Sequence, residues 1–189
     1  MEGAKYAKAE LERRFLLTGV PPGTDEASVR RIHDRYIVGT RLRLRRVDDL
    51  AGRSTMYKLG QKDTPDRARL SHMLHTTLYL SISEYHLLAA LPADVLVKRR
   101  MTLWDGEHSY GIDAFHGPLT GLVLAELGAA SEDELTGAPV PRFAVAEVTC
   151  DVRFTGGALA AATPTEAASL LDYASRYRRP SAPYTHTRL

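Results

Sequence analysis

The chain has one cysteine, Cys150, among its 189 residues, so it has no intrachain disulfide framework and fits a reducing compartment. No apolar run is long enough to span a membrane, and the N-terminus lacks the apolar core of a secretion signal. Charge of one sign is also scarce. The formal net charge is only +2, which gives no overall pull toward nucleic acid. These absences lead us to expect a cytoplasmic protein with no membrane partner. The apolar and charged fractions, 44% and 25%, are those of an ordinary globular protein large enough for one well-filled core.

What is present is charge placed in alternation. In Glu10-Leu11-Glu12-Arg13-Arg14-Phe15-Leu16-Leu17, a β-strand would put Glu10, Glu12 and Arg14 on one face. Two acids beside a cation are costly in a dry core and suit a wet cavity holding a metal ion and an anion. The same pattern also suits a solvated edge strand. In Thr40 to Val47, Arg41, Arg43 and Arg45 share one strand face, opposite Leu42 and Leu44. Lys58 and Lys62 share a face, as do Lys98 and Arg100. Each pair alone suits an exposed sheet surface; repeated on three strands, and with guanidiniums able to bind phosphate oxygens in pairs, the rows suit a barrel interior lined with cations. Asp113, Glu126 and Glu147 lie inside otherwise apolar strand segments and need cationic or metal partners. Mg2+ or Mn2+ suits carboxylates of this kind.

Strand character is expected over Glu10 to Leu17, Thr40 to Val47, Thr55 to Leu59, Thr76 to Ser81, Val95 to Trp104, His108 to Phe115, Leu119 to Leu127 and Phe143 to Phe154. Asp105-Gly106 predicts a tight hairpin. Helices are expected to be few: one capped by Thr24 and running to His33, one capped by Ser83 over Glu84 to Leu91, and one from Pro164 to Arg176. No internal repeat or linker divides the chain. We expect one domain over residues 5–178, with residues 179–189 as a disordered tail. The element pattern predicts an α+β, mainly β chain folded as an antiparallel barrel or a strongly curved sheet.

The motif from Glu10 to Leu16 resembles the Glu-x-Glu-x-Lys signature of the CYTH superfamily, the triphosphate tunnel metalloenzymes. The resemblance continues in order through Arg41-Leu42-Arg43, Lys58 to Lys62, Lys98-Arg99-Arg100, Gly111 to Phe115, Leu124-Ala125-Glu126, Glu147-Val148-Thr149 and Asp151 to Ala160. It implies an eight-stranded antiparallel β-barrel, a triphosphate tunnel with short flanking helices. It further implies metal-dependent hydrolysis of a linear triphosphate, either tripolyphosphate or an organic triphosphate. By this resemblance Glu10, Glu12 and Arg14 are catalytic. Arg41, Arg43, Lys58, Lys62, Lys98 and Arg100 bind the phosphates. Glu10, Glu12, Asp113, Glu126 and Glu147 are metal ligands, for one Mg2+ or Mn2+ rather than two.

The chain also departs from the family. Arg14 replaces the signature lysine. The stretch from Arg69 to Leu80 carries no acid where many members have Arg-x-Glu-x-Glu, and Gly128 stands where a second strand acid would fall. These losses keep open a catalytically impaired binder of phosphorylated ligands on the same fold. Adenylyl cyclase is a weaker alternative, because no base-recognition motif is visible. Nucleic acid is not an expected partner, and a homodimer is one option for assembly. His72 and His75 are expected to be ordinary histidines, on opposite faces if their segment is a strand. Cys150 is expected to be packed as a small apolar side chain.

Overall fold

The structure, a computed structural model, describes residues 5–63 and 70–177. The expected tail at 179–189 and Arg69 lie outside the described residues. Nine antiparallel strands run β1 (Lys8–Leu17), β2 (Asp25–Ile37), β3 (Leu42–Asp49), β4 (Ser54–Asp63), β5 (His72–Leu80), β6 (Ala93–Asp105), β7 (His108–Phe115), β8 (Val123–Ala129) and the two-residue β9 (Ala146–Glu147). Among the described residues there are four short helices: α1 (Ile82–Ala89), α2 (Glu132–Gly137), α3 (Gly156–Ala161) and α4 (Pro164–Ser175). Strands β1 to β8 close into an eight-stranded antiparallel barrel. The order around it is β5-β4-β3-β2-β6-β7-β8-β1, and pairing of β5 with β1 completes the ring.

β1 is the seam. One edge pairs with β8 from Leu11 to Leu17. The other edge is divided: Lys8 to Leu11 pair with β5, and Phe15 and Leu16 pair with β9.

Alternation along the strands separates two environments, but neither is simply inside or outside. Inward positions at one end of the barrel are apolar. Leu16, Leu96, Phe115 and Leu124 pack there with Val148, Phe154, Leu159, Leu170 and Ala174 from the C-terminal segment. α3 and α4 thus plug that end, each fully buried Leu or Phe contributing about 1.5–3 kcal/mol. The remaining inward positions are charged. A second apolar cluster lies on the outer face of β1, β6, β7 and β8, where Phe15, Leu17, Met101, Tyr110, Ile112 and Leu127 pack with Ala138 and Phe143.

Several expectations are corrected. Thr24 does not cap a helix; its hydroxyl donates to the Pro21 carbonyl at 2.6 Å, and residues from Asp25 onward form β2. β2 is in register with β3 from Arg30 to Tyr36 and with β6 from Arg30 to Ile37, and these two ladders outweigh the local cap signal. Ser81, not Ser83, caps α1, in a reciprocal capping box with Glu84. β8 begins at Val123, after a short 3₁₀ turn over Gly117–Leu119. Only Ala146–Glu147 of the expected strand from Phe143 to Phe154 is strand, and Val152–Phe154 is a 3₁₀ turn. The hairpin at Asp105-Gly106 forms, with Gly106 at φ +61°. α4 opens at Pro164 behind the cap Thr163, as its sequence predicts.

Candidate functional site

A cavity of about 840 Å³ fills the charged part of the barrel interior. Eight cations line it: Arg14, Arg41, Arg43, Arg45, Lys58, Lys62, Lys98 and Arg100. Four carboxylates line it with them: Glu10, Glu12, Asp63 and Glu126. His75, Tyr36, Met73 and a C-terminal wall of Cys150, Val152, Thr155, Gly156 and Gly157 complete it.

β1 supplies Glu10, Glu12 and Arg14 from one face, as its alternation requires. Glu10 faces the Lys62 ammonium at 2.6 Å, and Glu12 lies 3.8 Å from the same ammonium. Burial raises the Glu10 carboxyl, but Lys62 outweighs it and the net shift is downward. Arg14 donates from Nε and Nη2 to Glu12 Oε1 at 3.1 and 2.8 Å. Its Nη1 is buried without a hydrogen-bond partner.

β2 and β3 supply a buried acid beneath a row of arginines. Asp34, 1% exposed, accepts two hydrogen bonds from Arg45, at 2.6 and 2.7 Å, and lies 3.9 Å from Arg43. Burial pushes its carboxyl up; Arg45 overcomes this and holds it at about 2. Arg43 Nε is buried without a partner. Lys58 on β4 stands 5.1 Å from the centre of the Tyr79 ring, which lies directly across the β4–β5 ladder. Arg41 pairs with Asp63 at 2.8 Å, both half-exposed.

β6, β7 and β8 contribute a tight knot. Asp113 is fully buried and takes Lys98 at 2.5 Å and Arg100 at 2.7 and 2.5 Å. Arg100 also pairs with Glu126. Burial opposes the charge on Lys98 and, with Arg100 beside it, lowers its pKa. Burial likewise works against Arg100 and Glu126; Asp113 and Glu126 nevertheless hold Arg100 charged, and Arg100 with Lys98 holds the Glu126 carboxyl well below its ordinary value. Arg100 and Lys98 are therefore already neutralised, whereas Arg14, Arg43 and Lys58 retain unused donor capacity.

Two of the sequence-predicted acids do not line the cavity. Asp113 lies behind it, clamped to Lys98 and Arg100. Glu147 is on the barrel's outer side. It pairs in register with Phe15 and accepts Arg13 Nε and Nη2 at 3.0 and 2.7 Å. Asp151 and Arg153 pair with one another at 2.6 Å. His75 lines the cavity 3.6 Å from Glu10. Burial, with help from Lys62 and Arg43, outweighs Glu10 and lowers the imidazole to about 4, so it is neutral at pH 7. His72 faces away from the cavity and pairs with Glu132. Cys150 is exposed, not packed in the core. Trp104, 65% exposed at the hairpin, takes no part in the cavity.

Asp34 and Tyr36 escape the sequence pattern because they fall between the helix expected to end at His33 and the strand expected to start at Thr40. The signal that finds them is Ile32, Asp34 and Tyr36 alternating beside an arginine-rich strand. Space is tight at Gly156. A Cβ there would lie 2.1 Å from the Tyr36 hydroxyl, so a larger residue would have to displace the ring or move α3 off this wall.

No protein-family model matches the chain, and no curated protein matches it. Solved structures do. The chain is similar to the inorganic triphosphatase NE1496, with 22% identity and a TM-score of 0.56 over 82% of this chain and 96% of that one. A second crystal structure of NE1496, described as a hypothetical protein, gives 23% identity and the same TM-score over 82% and 99% of the two chains. PH1819 from Pyrococcus horikoshii OT3 is 14% identical with a TM-score of 0.51, over 68% of this chain and 82% of that one. The likeness is one of fold: a closed antiparallel β-barrel. Among the described residues, no helix is long and apolar enough to cross a membrane.

Proposed function

We propose that the cavity binds a linear triphosphate and that the protein hydrolyses its terminal phosphoanhydride with the help of one divalent cation. The observation that carries this reading is the surplus of cation inside the barrel. Eight basic side chains line the cavity against four acids, six when Asp34 and Asp113 behind the wall are included, and buried donors of Arg14 and Arg43 have no hydrogen-bond partner. Leaving such donors unsatisfied is costly in the free protein, and a polyanion would satisfy them. The likeness to an inorganic triphosphatase supports the same class of substrate.

Glu10 and Glu12 fit a hard cation such as Mg2+ or Mn2+. Two carboxylates on one strand face are the usual protein share of a site completed by phosphate oxygens and water. When bound, the cation would supply Lewis-acid neutralisation of phosphoryl charge. The chain's own residues would do the rest. Arg43 and Lys58 would hold the bridging end of the phosphate chain. Lys62 and Arg14 would turn from their carboxylates toward the terminal phosphoryl group and stabilise the charge that builds on its equatorial oxygens. Barrel walls that fix these groups before binding reduce the reorganisation needed at the reaction. A cytoplasmic setting is part of this proposal, supported by the single, unpaired Cys150.

A second reading is a binder of phosphorylated ligands without turnover. It draws on the acids: Glu126 is committed to Arg100, Asp113 to Lys98 and Arg100, and Glu147 to Arg13. Among the described residues, no three His, Cys, Asp or Glu side chains converge as a metal cage.

Phosphate release from tripolyphosphate, ATP and thiamine triphosphate, with Mg2+, Mn2+ or chelator, separates the two. Hydrolysis predicts metal-dependent turnover that Glu10→Gln/Glu12→Gln abolishes in a folded protein. Absent turnover, with metal-independent tripolyphosphate binding by calorimetry, overturns hydrolysis in favour of the binder.

A further inference from the structure

The outer face of the barrel carries a second concentration of cation unrelated to the cavity. Three strands build it. Arg31, His33 and Arg35 share the outward face of β2. Arg31 is directly opposite Arg99 on β6, and His33 is directly opposite Arg46 on β3. His33 is therefore encircled, with every arginine rooted within ~5–8 Å of it by strand geometry. Like charges directly opposite each other across a ladder are destabilising unless something neutralises them.

Little in the chain does so. Arg46 pairs with Asp48 at 2.8 Å, and Arg99 reaches the exposed Glu26 only at 3.6 Å. Arg35 donates to the Leu91 carbonyl at 3.1 Å, which neutralises nothing. Arg31 has Asp48 directly opposite on β3, but that acid is taken by Arg46, and Arg31 forms no ion pair among the described residues. Three buried polar atoms in this one patch have no hydrogen-bond partner: His33 Nδ1, Arg35 Nε and Arg99 Nε. The positive field is felt at the centre. Burial first, then Arg35 and Arg46, drive His33 toward its neutral form, and Asp34 and Asp48 offset this only in part.

We propose that this outer face of β2, between β3 and β6, is a second anion site, in which Arg31, Arg35, Arg46 and Arg99 close around His33 on an oxyanion of the phosphate class. Planar guanidiniums pair with two oxygens of such an ion at once, and a dianion matches a cluster whose own acids leave it in surplus. The ligand is either free inorganic phosphate or a phosphoryl group on a small molecule. The site lies on the opposite side of the barrel wall from the cavity, and it does not depend on the hydrolysis proposed above.

The test follows the His33 ring resonance of the full chain by NMR during titration with inorganic phosphate, with assignment by His33→Gln. A cavity variant, Arg43→Gln/Lys58→Gln, removes contributions from the interior. A saturable shift of His33 is expected in both wild type and cavity variant. Arg31→Gln/Arg99→Gln should weaken it at least about tenfold, a loss of ~1.4 kcal/mol, while the thermal midpoint does not fall and the tripolyphosphate affinity of the cavity holds. Methyl phosphate binding as well as phosphate assigns a phosphoryl group on a small molecule; tighter binding of phosphate assigns the free ion. A non-saturating shift, a response unchanged by Arg31→Gln/Arg99→Gln, or its loss in the cavity variant overturns the proposal. So does tighter binding of a single-stranded oligonucleotide or an acidic peptide.

Discussion

Asp34 is the acid on which the cationic wall rests, and its replacement by asparagine has a calculable cost. The side chain is 1% exposed and holds Arg45 through two hydrogen bonds. Its carboxyl is depressed from 3.8 to about 2. That difference corresponds to about 2.5 kcal/mol of native-state preference for the ionised form. Leaving a buried cation without its acid costs about 3–5 kcal/mol in comparable sites. Asp34→Asn should therefore lower stability at pH 7 by about 3 kcal/mol, a shift of ~1.5 M in the urea midpoint for a slope near ~2 kcal/mol/M. The pH dependence has a definite sign. A carboxyl with a depressed folded pKa stabilises fully above its unfolded value and loses that contribution as pH falls through its folded value. The gap between wild type and variant should be flat above about pH 4 and shrink toward pH 2. Tripolyphosphate should restore the variant more than it stabilises wild type, because it replaces the missing negative charge. A gap below about 1 kcal/mol at pH 7, or one of equal size at pH 2.5, refutes the argument.

Three further outcomes follow from the geometry. Gly156→Ala drives a methyl group into the Tyr36 hydroxyl and should lower stability by about 1–3 kcal/mol, seen in the thermal midpoint, while altering phosphate release. Glu147→Gln should leave turnover within about twofold and cost at most about 1 kcal/mol by urea unfolding, since its carboxylate clasps Arg13 outside the barrel; loss of metal-dependent turnover would restore Glu147 to the site. Tripolyphosphate affinity should fall about tenfold or more between roughly 0.05 and 0.5 M NaCl by calorimetry, as binding to a cation-lined cavity requires; a salt-independent constant contradicts it.

Much of the barrel is legible in the sequence because strand alternation is a local signal. Glu10, Glu12 and Arg14, Arg41 and Arg43, and Lys58 and Lys62 are each read correctly as sharing a face, and all of them line one cavity. β2 is not legible, for a physical reason. Its inward face carries Asp34 and its outward face Arg31, His33 and Arg35, so the apolar-to-polar period that marks a half-buried strand is absent. A Thr24 followed by two acids then reads as a helix start. Glu147 fails differently. Its strand character is weak but real, while its side is fixed by register with Phe15, a pairing between positions far apart in the chain that no local pattern records. Asp113 is read correctly as an inward acid; what sequence leaves open is whether an inward acid meets a metal or an arginine.

The divided edge of β1 bears on how the chain reaches its fold. β1 takes its partners from residues 72–75, 123–129 and 146–147, so during synthesis its pairing stays incomplete until residue 147 has emerged. The β2-to-β5 meander forms by short connections and can assemble first, but the ring cannot shut until late. Until then Glu10, Glu12 and Arg14 face no cavity, and an exposed strand with Phe15, Leu16 and Leu17 at its end is open to other chains. Closure is long-range, and the charged interior is complete only when β1 is paired on both of its edges.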